Sequence, residues 1–286
     1  MEREDELAII RRAFAKQTLA AASVEDPRLE QAFAEVRRED FLGPGPWVIP
    51  RTPGGYLPTP SADPVYIYID NVVQIIAERH LNNGQPSGHA KWLASASIEP
   101  GDHVVHVGTG TGYYTAIMSL VAGPSGRVTG IEFDAGLAER ARENLAAFSN
   151  VCVVRGDGAS VPFDAADVIY VNAGVTRPAD SWLDNLKDGG RLLLSLTTKE
   201  NFAAAGVRAP GAVFVIQRQA HEYLARYVGP VFIIPCESAR DEESEAALAQ
   251  ALKKRGRKRV TRLYRNNDVA EDRCWLRAPD WCLAYS

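Results

Sequence analysis

The sequence predicts an α/β fold, with a mostly parallel sheet and helices on both faces. Three observations predict it. From His103 to Leu196, strand-like runs alternate with helix-like runs at the spacing of βαβ units. The first of those runs, VVHVG, enters the glycine-rich turn Gly108–Gly112, and an apolar helical stretch leaves it. Acidic residues then stand at the ends of the next two strands, at Glu132 and Asp157.

Taken in order, residues 5–22 read as a helix with Leu7, Ile10, Phe14 and Leu19 on or near one face, and 27–37 as a second, short helix. Residues 43–64 are rich in Pro and Gly and are expected to be irregular. A helix is placed around 70–80, a turn-rich loop over 82–90 and another helix over 88–97. Strands are then expected at 103–108, 127–133, 151–156, 167–173 and 191–196. Helices are expected at 112–122, 135–148 and 179–186, the last stopped by Lys187-Asp188-Gly189-Gly190. Strands at 212–219 and 229–235 and a helix at 240–255 follow. That last helix is opened by Asp241, Glu242, Glu243 and Glu245 and closed by cations, as the macrodipole favours.

The bulk numbers exclude several classes. The chain has 286 residues, 46% hydrophobic and 24% charged, an ordinary globular composition. A formal net charge of -4 supplies no global basic field for nucleic acid or anionic lipid. The basic run at 253–259 reads as a solvated helix end. The start MEREDELAII lacks the pattern of a secretory signal, and no apolar run approaches the roughly 20 residues of a membrane span. The four cysteines (Cys152, Cys236, Cys274, Cys282) show no metal spacing; free thiols in a cytoplasmic protein are expected, and no metal.

The turn Gly108-Thr109-Gly110-Thr111-Gly112 is G-x-G-x-G. It is neither the G-x-G-x-x-G of dinucleotide folds nor a P-loop with its Lys-Ser/Thr. Absent side chains let the backbone approach a ligand at the carboxyl edge of a sheet. Glu132, 24 residues beyond Gly108 (132 − 108), is placed to accept from both hydroxyls of a ribose, with Phe133 beside it. In Gly156-Asp157-Gly158 the Asp is placed to accept from an adenine amino group, and Gly158 to clear the ring face. Each acid alone also reads as a turn or cap residue. Together they favour an adenosine-type ligand, and because nothing marks a phosphate site, S-adenosylmethionine is the expected cofactor.

At this point the residues resemble a known family. EPGDHVVHVGTGTGYYTAIMSLVAG looks like the first motif of class I, Rossmann-like methyltransferases. More narrowly it is similar to the protein-L-isoaspartate O-methyltransferases, as are GDG at 156–158, LKDGGRLLLSL at 186–196 and, upstream, FAEVRREDFLGPGPW. The similarity covers roughly residues 30–235. It implies an S-adenosylmethionine-dependent O-methyltransferase acting on a carboxylate of a peptide, protein or small molecule. The expected division is an N-terminal helical cap with the substrate loop (1–97), a cofactor-binding core (98–235) and a C-terminal extension (236–286) that could cover the substrate mouth.

The chain departs from the family pattern in two places. His106 stands where the family has an acid that fixes the loop and the methionine end of the cofactor. Upstream, the family carries G-Q-T-[IV]-S-x-P-H, whose hydroxyls help form the isoaspartate pocket. Counting back from Glu99-Pro100-Gly101, Pro86 falls on the proline, Asn82, Asn83 and Gly84 on the Thr-[IV]-Ser, and Ser87 on the His. Asn82, Asn83 and Ser87 are therefore the candidate substrate-binding residues.

A carboxylate acceptor is ionised at pH 7 and needs no general base, so alignment and desolvation suffice. A hydroxyl or amine acceptor would be helped by a base, for which His89, His106 and His221 are candidates, with Asp70 as an outsider. Asn172, ending a strand, is a candidate substrate-facing group. A cofactor-binding scaffold without turnover is the non-enzymatic alternative.

Overall fold

The computed structural model describes residues 3–51, 55–199, 210–266 and 268–285. By density of contacts the chain falls into two units that interleave along the sequence: Met1–Gly101, Thr109–Gly130 and Asp134–Val153 in one; Asp102–Gly108, Ile131–Phe133 and Val154–Ser286 in the other.

In the first unit, α1 (Arg3–Ala22) buries Leu7, Phe14 and Leu19, and α2 (Pro27–Glu35) begins on a proline with Asp26 accepting from the Arg28 and Leu29 amides. A short α3 (Glu39–Leu42) follows. The Pro/Gly-rich stretch expected to be irregular instead holds a hairpin, β1 (Val48–Arg51) against β2 (Gly55–Pro58). The Trp47 amide, bonded to the Thr59 hydroxyl at 3.0 Å, pins its base.

The helix expected around 70–80 is absent among the described residues. The segment forms β3 (Gln74–Ile76) and β4 (Leu81–Asn82), joined by a 3₁₀ turn at Ala77–Arg79. The cause is non-local. Fully buried Arg38 donates to the carbonyls of Ile67, Ile69 (3.0 Å) and Asn71 (2.7 Å), which commits them away from helical partners. Asn83 then clips Val73, accepting from its amide at 2.7 Å and donating to its carbonyl at 3.0 Å. α4 (Pro86–Ala96) starts two residues before its expected position, again on a proline.

A ten-stranded sheet organises the second unit, which holds all of it except residues 127–130 and 151–153. Its strands are β5 (His103–Val107), β6 (Arg127–Glu132), β7 (Val151–Arg155), β8 (Ala166–Val171), β9 (Leu186–Leu196), β10 (Gly211–Gln219), β11 (Glu222–Val231), β12 (Val260–Tyr264), β13 (Cys274–Arg277) and β14 (Cys282–Tyr285). Their order is β13-β14-β12-β11-β10-β9-β8-β5-β6-β7. β8 pairs in parallel with both β5 and β9, while β9 to β14 pair antiparallel. The chain runs β5, β6, β7 to one side and then returns to place β8 on the other side of β5. That reversal is the topological switch point where open α/β sheets leave a crevice.

Helices α5 (Tyr113–Ala122) and α6 (Ala135–Asn144) belong to the first unit; α7 (Asp180–Asp184) and α8 (Glu242–Lys253) belong to the second. The core of the second unit packs Val105, Ile169, Trp182, Leu192, Phe214 and Trp275 with their neighbours. The C-terminal residues do not form a separate lobe: β12, β14 and β13 continue the sheet beyond β11. Trp275 and Leu276 of β13 and Leu283 of β14 are buried in that core. All four cysteines are thiols, and those of Cys274 and Cys282 lie 2.6 Å apart in a small satellite cluster. Two of the tail's cations stack on tyrosines, Arg257 over Tyr227 and Arg259 over Tyr285. Among the described residues no helix is long and apolar enough to cross a membrane.

Candidate functional site

At the carboxyl ends of β5, β6 and β7 the second unit presents Gly108, Glu132 and Asp157. Adjacent strands place them. Gly108 donates to the Ile131 carbonyl and Gly156 to the Glu132 carbonyl, each at 2.9 Å. Glu132 is buried, whereas Phe133 next to it is exposed, an open aromatic face at the strand end.

The alternate glycines have a conformational cause: Gly108, Gly110 and Gly112 have φ of +80°, +59° and +99°. Their missing side chains do different things. A Cβ on Gly108 would lie 2.9 Å from the Asn172 carbonyl oxygen, and one on Gly112 would lie 2.8 Å from Leu145, so both are packing glycines. A Cβ on Gly110 would meet nothing within 4 Å. Gly110 is therefore the member of the turn that leaves open space, as a ligand cradle requires. Thr109 and Thr111 are buried; the Thr111 carbonyl accepts from Asn144 Nδ2 at 2.9 Å, tying the turn to α6.

Gly158 has a packing role in the sheet. A Cβ there would sit 2.3 Å from Val107 Cγ1, so the glycine is needed for packing against β5. Its carbonyl accepts from Trp182 Nε1 at 2.7 Å. Asp157 Oδ1 accepts from the Ala159 amide at 2.9 Å and from the Ser238 hydroxyl. Asn172 donates through Nδ2 to the Gly108 carbonyl at 3.1 Å, so its side chain straps the glycine turn.

His106 is fully buried in the second unit, edge-on to Tyr170 with ring centroids 5.5 Å apart. Burial pushes its pKa down to about 3, leaving a neutral and weakly basic imidazole at pH 7. The unfolded chain binds a proton near pH 6.5 that the folded chain refuses until about pH 3, so this residue removes stability as pH falls through that window. The parent should therefore lose about 1 kcal/mol more stability than His106→Gln between pH 6.5 and 5.5. Urea unfolding at the two pH values checks this; parallel pH slopes would contradict it.

In the first unit, His89 is also buried. Its ring stacks on Tyr114 at 3.6 Å and 11°, meets Trp92 edge-on, and abuts Gly84, where a Cβ would fall 2.2 Å from Nε2. Tyr114 donates to the Gly84 carbonyl at 3.2 Å, and Tyr113 packs among Phe33, Phe41 and Arg38. Burial raises the pKa of both phenols, so they remain protonated donors. Asn82 Oδ1 accepts from the Gly84 amide at 2.9 Å, and buried Asn83 is spent on Val73. Ser87 bonds to Asp70 twice, through its amide at 2.8 Å and its hydroxyl at 2.7 Å, and Gln85 Nε2 reaches the same carboxylate at 3.0 Å. Asp70 thus organises the start of α4. Residues 82–89 share one local framework in which Asn82 and Ser87 retain partial exposure.

Comparison with known proteins bears on this arrangement. Residues 49–230 match the sequence model of the protein-L-isoaspartate(D-aspartate) O-methyltransferase family, more than half of the chain. The chain belongs to that family. A protein-L-isoaspartate O-methyltransferase of Thermotoga maritima is 33% identical over 177 residues, 60% of this chain and 51% of that protein, so the chain spans about half the length of that relative. The Koribacter versatilis protein of the same name is 31% identical, covering 71% of this chain and 79% of its own length. A solved protein-L-isoaspartate O-methyltransferase superposes with a TM-score of 0.64 at 28% identity, over 80% of this chain and 66% of that one. A Plasmodium falciparum structure, at 16% identity over 79% of this chain and 98% of its own, has the same fold with a TM-score of 0.60. The family match thus spans the sheet from β5 to β11, the glycine turn and the strand-end acids, together with residues 82–89.

Proposed function

We propose that the protein transfers the methyl group of S-adenosylmethionine to a carboxylate, with an isoaspartyl peptide or protein as first substrate class. The observation that carries this is the placing of Gly108, Glu132 and Asp157 at three neighbouring strand ends of the second unit in a chain of this family. The family's relatives are named for that activity, and the Plasmodium structure holds S-adenosyl-L-homocysteine.

The residues present fit the cofactor. Glu132 is assigned to the ribose hydroxyls, Asp157 to the adenine amino group, the exposed ring of Phe133 to the adenine edge, and the Gly108–Gly112 turn to the amino-acid end. When bound, the sulfonium supplies an electrophilic methyl group. The chain's own task is then to hold the acceptor in line and exclude water, for which no proton need move. Asn82 and Ser87 are assigned to the acceptor, with Asp70 fixing Ser87 so that its hydroxyl oxygen remains an acceptor towards a peptide amide. We assign residues 98–235 to the cofactor and residues 1–97 to the acceptor. The cytoplasm is the compartment we propose, consistent with four thiols.

Base-assisted methylation of a hydroxyl or amine is less well supported, because His106 is buried and weakly basic and His89 is enclosed by rings. Product chemistry tests the choice: a carboxyl methyl ester is hydrolysed in mild alkali, whereas an ether or N-methyl product is not. A base-stable product would overturn carboxylate methylation. Asn172→Ala should weaken cofactor binding roughly fivefold, about 1 kcal/mol, by releasing the Gly108 carbonyl. Unchanged affinity by calorimetry would show that the strap does not matter to binding.

A further inference from the structure

The family match ends at residue 230, yet the next ten residues are stitched back onto the cofactor edge of the sheet. Gly174, just past β8, donates to the Ile234 carbonyl and accepts from the Cys236 amide, each at 2.8 Å. Thr176 donates to the Ala239 carbonyl at 3.1 Å and accepts from the Asp241 amide at 3.1 Å. Arg240 Nη1 donates to the Gly174 carbonyl at 2.6 Å. These bonds fix a short segment on both sides of Ser238, whose hydroxyl donates to Asp157 Oδ1. The Ala159 amide donates to the same oxygen. Cys236 Sγ lies 3.6 Å from the Ser238 oxygen and can donate to it, so the hydroxyl proton is left for Asp157.

A carboxylate held by two donors on one oxygen has its rotamer set, and its other oxygen keeps its acceptor capacity. Among the described residues both donors reach Oδ1, so Oδ2 is the oxygen left for a ligand donor. An exocyclic amino group on a purine can donate to that oxygen. A 6-oxo group in its place would set a carbonyl oxygen against a carboxylate, which is repulsive and leaves both unsatisfied.

We propose that Ser238, beyond the family region, is a positioning residue that orients Asp157 and so sets the preference for a 6-amino over a 6-oxo purine in the cofactor. This rests on the assignment of Asp157 to the adenine.

The test is calorimetric binding of S-adenosylhomocysteine and its 6-oxo analogue S-inosylhomocysteine to the full chain, Ser238→Ala, Ser238→Thr and Asp157→Ala, with melting temperatures alongside. The parent should prefer the adenosyl ligand at least tenfold. Ser238→Ala should weaken adenosyl binding about fivefold and inosyl binding less than twofold, and Ser238→Thr should restore the preference. If Ser238→Ala keeps the parent's preference while Asp157→Ala abolishes it, Asp157 reads the base without Ser238 and the proposal fails alone. If Asp157→Ala keeps the preference as well, the adenine assignment fails and the proposal falls with it. Equal weakening of both ligands by Ser238→Ala, or no rescue by Thr, would mark a structural role only and also overturn it.

Discussion

Glu132→Ala should weaken S-adenosylmethionine binding by about 2–4 kcal/mol, roughly 30- to 1,000-fold, while leaving the fold intact. The carboxylate ends β6 beside Gly156, with its own backbone carbonyl already used in the sheet edge. Its assigned partners are two ribose hydroxyls, and hydrogen bonds to a charged group are the strong kind. Ribose also tests the assignment internally. Glu132→Gln retains one acceptor oxygen and should recover part of the loss. Glu132 is buried, so melting temperature must be followed beside affinity. A stable variant with parental affinity would remove Glu132 from the cofactor site.

Arg38→Ala should cost on the order of 3–5 kcal/mol of stability. Its guanidinium is fully buried, donates to three carbonyls between Ile67 and Asn71, and lies over the rings of Phe14 and Tyr113 at 5.6 and 6.0 Å. Removing it leaves those carbonyls without their donor inside the unit. The loop it holds carries Asp70, which in turn fixes Ser87 and Gln85. A second effect is therefore expected at temperatures where the variant is folded: KM for the acceptor should rise more than Kd for the cofactor. Arg38→Lys should not rescue, because a single ammonium cannot reproduce the planar fork. Urea unfolding checks the first effect, and a loss under 1 kcal/mol would contradict it.

These two residues illustrate what could be read before the fold was known. The position of Glu132 at a strand end is legible because its signal is local: a strand, a glycine turn and an acid at the next strand end are all sequence patterns. The same holds for Gly110 and Asp157, and for the alternation that makes up β5 to β9. Arg38 was not legible as an organiser. It captures carbonyls some 30 residues away, and that capture replaces the helix expected around 70–80 with β3 and β4. The packing need at Gly158 is not legible in sequence, because a glycine that clears a ligand and a glycine that clears Val107 look alike there. Asn172, expected to face a substrate, is occupied by the Gly108 carbonyl. Ser238 carried no signal at all, since its partner Asp157 is 81 residues away and outside any shared motif. The tail's short apolar runs gave no hint of direction, and only pairing shows them to be added strands.

The departure from the family pattern expected at 82–87 makes the acceptor the central question. The most direct measurement is release of S-adenosylhomocysteine from S-adenosylmethionine with an isoaspartyl peptide beside its ordinary aspartyl twin. Turnover on the isoaspartyl peptide alone is the expected result, and would mean that Asn82 and Ser87 rebuild the pocket with different groups. No turnover on either peptide, with the cofactor still bound, would contradict it: the cofactor half would then serve a different acceptor.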